Sequence, residues 1–233
     1  MQNIKLDSRL MAVASLVRQN SRLADIGTDH AYIPVYLVNN GIITQAIAAD
    51  INEGPLKNAD KNILSYGLSD NIKTMLSDGL VNLPENCADD IIIAGMGGIL
   101  ISEILEKCVW IKNVNIRVIA QPMTHAEKVR DFFINNGFKI KEEITAEDSK
   151  HKYCVIAAEY DGVTYDYPEG YPYYGELIRN KDYLSKEYLF IQRDRLLKRY
   201  NALIKSNTQA DECDYLNKII CELSTVLEDM QNA

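Results

Sequence analysis

Apolar residues recur along the chain in two alternating periods. Short, mostly apolar runs, Leu23–Ile26, Gln45–Asp50, Ile72–Leu76, Asp89–Ala94 and Ile116–Ala120, are each followed by a turn and, in four of five cases, by a stretch with helical spacing. Runs this short and this apolar fit strands of a parallel sheet covered on both faces. Helices are predicted over 31–39, 55–66, 99–107 and 126–135. Three of them close on a glycine (Gly41, Gly67 or Gly137), the ordinary helix stop. Another helix is predicted over 7–18, with Asp7 or Ser8 as its cap and Arg9 and Arg18 as its exposed charges. Phe138–Ile144 and Lys152–Tyr160 have only a polar turn between them and read as an antiparallel hairpin at the sheet edge.

Chemistry collects where the strands end. The first strand runs into Asp25-Ile26-Gly27-Thr28-Asp29-His30, the second ends at Asp50, and the third leads into Ser77-Asp78-Gly79. In open α/β sheets ligands bind at the carboxyl ends of the strands, and a glycine there lets the backbone approach one. An acid about 20 residues past such a turn is placed to accept hydrogen bonds from ribose hydroxyls, although a cap for the next helix would look the same. The full dinucleotide fingerprint is absent, and an acidic turn would repel a pyrophosphate. That argues against a nicotinamide dinucleotide and for a cofactor that is cationic or uncharged at this point. The most apolar run, Asp89–Ala94, is the expected central strand, and it opens into Gly95-Met96-Gly97-Gly98. Three glycines in four positions there permit a close backbone approach.

Composition narrows the class. The 233 residues suit one α/β domain with a smaller appendage. No stretch approaches the roughly 20 apolar residues of a membrane span, and the N-terminus lacks a signal-peptide pattern. The five cysteines are odd in number, scattered and without a C-x-x-C pair, as expected of reduced thiols in a cytoplasmic protein. No metal site is expected, and a monomer is expected rather than an obligate oligomer. The net charge of −8 disfavours a nucleic-acid partner, but its distribution weakens that objection. Residues 171–205 carry eight Lys or Arg against four acids, whereas the segment from Ser206 onward has six acids against Lys218 alone.

Past Gly162 the chain turns to Tyr, Pro and Gly, which reads as a linker. Two helical segments follow, about Leu177–Ser206 and Asp211–Met230, with Leu184, Tyr188, Ile191, Leu196, Leu203 and Ile204 in register on the first. They predict an antiparallel, coiled-coil-like hairpin.

Five strand–helix alternations closed by a hairpin resemble the seven-stranded, Rossmann-like class I methyltransferase fold that binds S-adenosylmethionine. Asp25-Ile26-Gly27-Thr28-Asp29-His30-Ala31-Tyr32-Ile33-Pro34, the Gly95–Gly98 turn, Gln121-Pro122 and the terminal helices together resemble the bacterial tRNA (adenine(22)-N1)-methyltransferases, the TrmK family. Thr28 stands where many members have serine. The resemblance implies a methyltransferase domain over residues 1–162 and a tRNA-binding two-helix domain over 163–233, with methyl transfer to N1 of an adenine in the tRNA D-loop. It implies Asp25, Gly27, Thr28 and His30 lining the cofactor, Asp50 and Ile51 at its ribose, and Asp78 and Gly79 at its adenine. Ala94, Gly95 and Gly97 would face its methionine end. Asp29, His30 and Met96 would serve the transfer; Arg9, Tyr32 and Gln121 would touch substrate; and Arg179, Lys181, Lys186, Arg193, Arg195, Lys198 and Arg199 would bind tRNA phosphates. Methyltransferases acting on exocyclic N6 usually carry Asn/Asp-Pro-Pro-aromatic where this chain has Gly-Met-Gly-Gly, which points to a ring nitrogen. The alternatives are a dehydrogenase, a non-catalytic RNA-binding protein with this fold, or a methyltransferase for another RNA site.

Overall fold

A computed structural model describes residues 4–206 and 210–232. Residues 1–3, 207–209 and 233, which the expected domain bounds include, lie outside the described residues. The strands are β1 Arg22–Ile26, β2 Gln45–Asp50, β3 Ile72–Leu76, β4 Asp90–Gly97, β5 Arg117–Thr124, β6 Phe138–Asp148 and β7 His151–Tyr160. They form one seven-stranded sheet in the order β3-β2-β1-β4-β5-β7-β6, in which β7 alone runs antiparallel to the other strands. The order reverses between β1 and β4, so the crevice for a ligand lies beyond Ile26 and Ala94.

Helices α1 Ser8–Ser15, α2 Tyr32–Asn39 and α3 Glu53–Ser65 cover one face. Alternation divides each strand between the two layers. Leu23, Ile92 and Ile119 point towards these helices, while Ala24, Ile91, Ile93 and Val118 point into the other core. The second layer holds α4 Gly98–Glu106 and α5 Ala126–Asn135. Asp7 caps α1 through its carboxylate, which accepts from the Leu10 N–H at 2.7 Å. This helix stops at Ser15 rather than running to residue 18. Arg18, expected on its exposed face, instead bonds the fully buried Asp90 carboxylate and the carbonyls of Asp89 and Asn115.

The segment after Gly162 departs from expectation. Its tyrosines and prolines do not form a free linker: α6 Tyr171–Tyr174 and a 3₁₀ turn over Gly175–Arg179 pack into the same core as α5, with Tyr171, Tyr174 and Leu177 buried. The first long helix therefore begins at α7 Tyr183–Ser206, and α8 Ala210–Asn232 folds back along it. Tyr174 donates to Glu222 of α8 at 2.6 Å, and the Gly170 N–H donates to the same carboxylate at 3.0 Å. Leu189, Leu196, Leu216, Ile219 and Leu223 continue the core between the helices, whereas Ile191 and Ile204 of the predicted stripe are exposed.

Candidate active site

A cleft of about 360 Å³ opens at the reversal point, between the ends of β1 and β4 and the first turns of α1 and α2. It brings together Arg9, Asp25, Gly27, Thr28, Asp29, His30, Tyr32, Ala94 and Gly95, nine of the residues singled out in the sequence. Asp7, Leu10 and Ile33, not singled out as contacts, also line it.

The turn after β1 is fixed from several sides. Gly27 and Thr28 donate their N–H groups to the Ala49 carbonyl of β2 at 2.8 and 3.0 Å. Gly27 has φ of +74°, and a Cβ there would lie 2.0 Å from the Met96 methyl, so the residue is held to glycine by conformation and by space. The Thr28 hydroxyl accepts the Ala31 N–H at 3.1 Å. Ala31 itself adopts a left-handed φ of 52°, so α2 starts at Tyr32, one residue later than its apolar pattern predicts. Asn62 of α3 donates to the His30 carbonyl at 2.7 Å. Backbone strain of this kind, a non-glycine residue in a left-handed conformation, collects at functional loops.

Asp25 is the electrostatic centre of the cleft. Its side chain is buried, and burial pushes its carboxyl up to about 6, with a hydrogen bond from Thr28 pulling partly the other way. A carboxylate so placed favours a positively charged neighbour. Asp29 and His30 stand at the mouth, 3.5 Å apart, and the His30 ring stacks on Tyr32 with centroids 5.0 Å apart.

On the β4 side the strand carries a bulge. Pairing with β5 shifts register between Ala94 and Met96, leaving Gly95 out of the ladder with φ of +78°. Gln121 organises this bulge. Its Oε1 accepts from the Gly95 N–H at 3.1 Å and from Arg9 Nη1 at 2.7 Å, and its Nε2 donates to the Pro122 carbonyl at 3.0 Å. The expectation of Gln121 as a substrate contact is corrected here, since the residue is 0% exposed and its amide is fully engaged. It positions Arg9 and the bulge. Arg9 in turn lies 5.9 Å above the Tyr153 ring, so it belongs to the cleft wall.

The remaining residues expected at the cofactor lie along the same strand ends, outside the cleft. One oxygen of Asp50 accepts the Asn52 N–H at 2.7 Å in a local turn ahead of α3, not as a helix cap, which leaves the other oxygen for a ligand. Asp50 stands in register with Leu76, and Ile51 and Leu76 are 59% and 54% exposed, an apolar shelf at the ends of β2 and β3. Leu76 carried no sequence signal beyond ending a strand. Asp78 is exposed with Lys107 3.7 Å away, whereas Gly79 is buried against Ile104. Met96 packs over Gly27 and Gly97 pairs with Thr124. None of Arg179, Lys186, Arg193 and Lys198 lines the cleft. Arg179 pairs with Glu176, and Arg193 pairs with Asp194.

Residues 6–156 match the family described as a methyltransferase domain. The chain is 36% identical over 171 residues to the Bacillus subtilis tRNA (adenine(22)-N(1))-methyltransferase, covering 70% of this chain and 72% of that protein. The chain belongs to the tRNA (adenine(22)-N1)-methyltransferase family. Two solved structures extend the likeness to nearly the whole length. M. capricolum TrmK, in complex with S-adenosyl-homocysteine, is 30% identical with a TM-score of 0.80, covering 96% of this chain and 98% of that one. A Streptococcus pneumoniae protein, in complex with S-adenosyl-L-methionine, is 30% identical with a TM-score of 0.79, covering 93% and 100%. These likenesses run through α7 and α8, so the terminal helices are part of the family's architecture. The dehydrogenase alternative falls. No described helix is long and apolar enough to cross a membrane, and among the described residues no cluster of His, Cys, Asp and Glu could hold a metal.

Proposed function

We propose that the cleft binds S-adenosylmethionine and that the chain transfers its methyl group to N1 of adenine 22 in the D-loop of tRNA, in the cytoplasm. One observation carries the reading: a buried acid, Asp25, and a fixed cation, Arg9, face one cleft across two glycine turns. The donor set fits a cofactor whose amino-acid end carries both charges. Asp25 would hold the ammonium and Arg9 the carboxylate, which moves Arg9 from the RNA to the cofactor. The free oxygen of Asp50 would accept from the ribose, and Ile51 and Leu76 would pack against the base, with Asp78 at its edge.

When bound, this cofactor supplies a methyl group on a positively charged sulfur. The protein's own task is alignment. N1 of neutral adenine carries its lone pair in the ring plane, so no base has to remove a proton before attack, and the chain need only hold donor and acceptor in line. The stacked His30 and Tyr32 rings offer a platform for the flipped base. The Asp29 carboxylate beside them would stabilise the positive charge that develops on the purine.

Two measurements test this. Gly27→Ala should weaken S-adenosylmethionine binding about tenfold by calorimetry and lower the stability by about 1–2 kcal/mol, the cost of an alanine at φ of +74°, while the protein stays folded because the only side chain its Cβ meets is the flexible end of Met96. After transfer to unmodified tRNA, nucleoside analysis should find the label in 1-methyladenosine. Label in N6-methyladenosine would overturn the ring-nitrogen assignment.

A further inference from the structure

A second groove, of about 430 Å³, lies between the end of β5, the turn of the β6–β7 hairpin and the first half of α7. Its size is within the roughly 300–1,000 Å³ typical of small-ligand sites. Its lining carries five basic residues, His125, Lys150, His151, Lys152 and Arg195, and no acid, in a chain of net charge −8. Two of these residues already have acidic partners, Lys152 in Glu147 and Glu187, and His125 in Glu127. Among the described residues Lys150 and Arg195 have no acidic partner. The rest of the lining is partly apolar, with Met123 and Ile191 42% and 37% exposed, beside Tyr153.

The groove begins where the cleft ends. Tyr153 belongs to the groove and lies beneath Arg9 of the cleft. Gln121, which holds Arg9 and the Gly95 bulge, places its Nε2 3.7 Å from the Met123 sulfur. On the other side, Gly97 pairs with Thr124, and Gly98 approaches the His125 carbonyl so closely that a Cβ would lie 2.1 Å from it. His125 is itself held at a left-handed φ of 54°. The loop that shapes the groove is thus built onto the turn that shapes the cleft.

Aromatic and apolar surface beside free cations is the chemistry of single-stranded RNA recognition, in which bases stack and phosphates pair. We propose that this groove holds a nucleotide next to the target adenine, its base against Met123, Ile191 and Tyr153 and its phosphate on Lys150 and Arg195. The proposal rests on the reading of the cleft as a tRNA methyltransferase site. Of the cations expected to meet phosphates it selects Arg195, on a face of α7 distinct from the line of Lys186 and Arg193, which lie seven residues apart, and it adds Lys150 of the hairpin turn.

The test is Lys150→Ala/Arg195→Ala in the full chain, against Lys61→Ala/Lys73→Ala, which removes the same charge from exposed sites on α3 and β3. Binding of an unmodified tRNA transcript is measured across a salt series, with methyl transfer alongside. The groove variant should raise the tRNA Kd and KM at least tenfold and reduce the slope of log Kd against log salt by about 0.7, as loss of one neutralised phosphate on a single strand requires. Its melting temperature and its KM for S-adenosylmethionine should not move, and Arg195→Lys should keep most of the affinity. The control should change tRNA affinity less than threefold. Equal effects of the two variants, or none, would overturn the groove assignment. Failure of the unsubstituted protein to methylate tRNA would instead overturn the reading of the cleft.

Discussion

Replacing Asp25 by asparagine is expected to raise the stability of the free protein while lowering S-adenosylmethionine affinity at least a hundredfold. The carboxyl is buried, and burial raises it to about 6 against 3.8 for an exposed aspartate. The folded state therefore binds this proton more tightly than the unfolded state does. The stability cost is absent below about pH 4, grows as pH rises between those two values, and is complete above about 6. The difference between them corresponds to about 3 kcal/mol at neutral pH. Asparagine removes the charge and with it most of that cost. For a chain of this length the melting temperature should climb by several degrees at pH 8, with little change at pH 4. The same substitution removes the negative charge proposed to meet the cofactor's ammonium, so calorimetry should show binding lost. A site that gains stability when its charged group is removed is one in which burial of that group serves function. An unchanged melting temperature together with unchanged affinity would show that Asp25 has neither role.

Arg130→Leu is expected to destabilise the fold by about 3–5 kcal/mol, the usual cost of leaving one partner of a buried ion pair alone. Arg130 and Glu143 are 1% and 0% exposed, with Nε donating to Oε1 at 2.8 Å, and Arg130 Nη1 also donates to the Pro172 carbonyl at 2.8 Å. Burial pushes the Glu143 carboxyl up while the Arg130 guanidinium draws it back down. Without Arg130 the acid is stranded in the core and the turn at Pro172 loses its anchor. Gly175, whose Cβ would lie 2.4 Å from Arg130 Nε, shows how tightly that turn is packed over the pair. Urea unfolding should show the loss, and Arg130→Leu/Glu143→Leu should recover most of it, because the desolvation cost disappears with both charges. If the double variant is no more stable than the single, the pair is held together by something other than its mutual charge.

The parallel strands and their helices were legible because each is encoded locally. Ile91-Ile92-Ile93 needs no partner to be recognised as a buried strand. Asp25, Gly27, Asp29 and His30 were legible for a related reason, since strand ends in this topology must meet at the sheet's edge. What the sequence hid depends on long-range pairing. Tyr171, Pro172 and Tyr174 have linker composition and become core only because Arg130 and Glu143, 42 and about 30 residues away, form a buried joint beneath them. Gln121 reads as a polar residue at a rim, and only the bulge at Gly95 gives its amide two partners. Arg195 is one basic residue among many on α7 until the hairpin turn brings Lys150 opposite it.

Whether this cleft methylates N1 of adenine 22 in tRNA is decided with two unmodified transcripts that differ only in carrying adenine or guanine at position 22. Each is incubated with radiolabelled S-adenosylmethionine and the purified chain, then mapped by reverse transcription. Label should enter only the adenine transcript, with the reverse transcriptase halting at position 22 as a blocked Watson–Crick edge demands. Equal labelling of both transcripts, or a halt elsewhere, would refute the assignment.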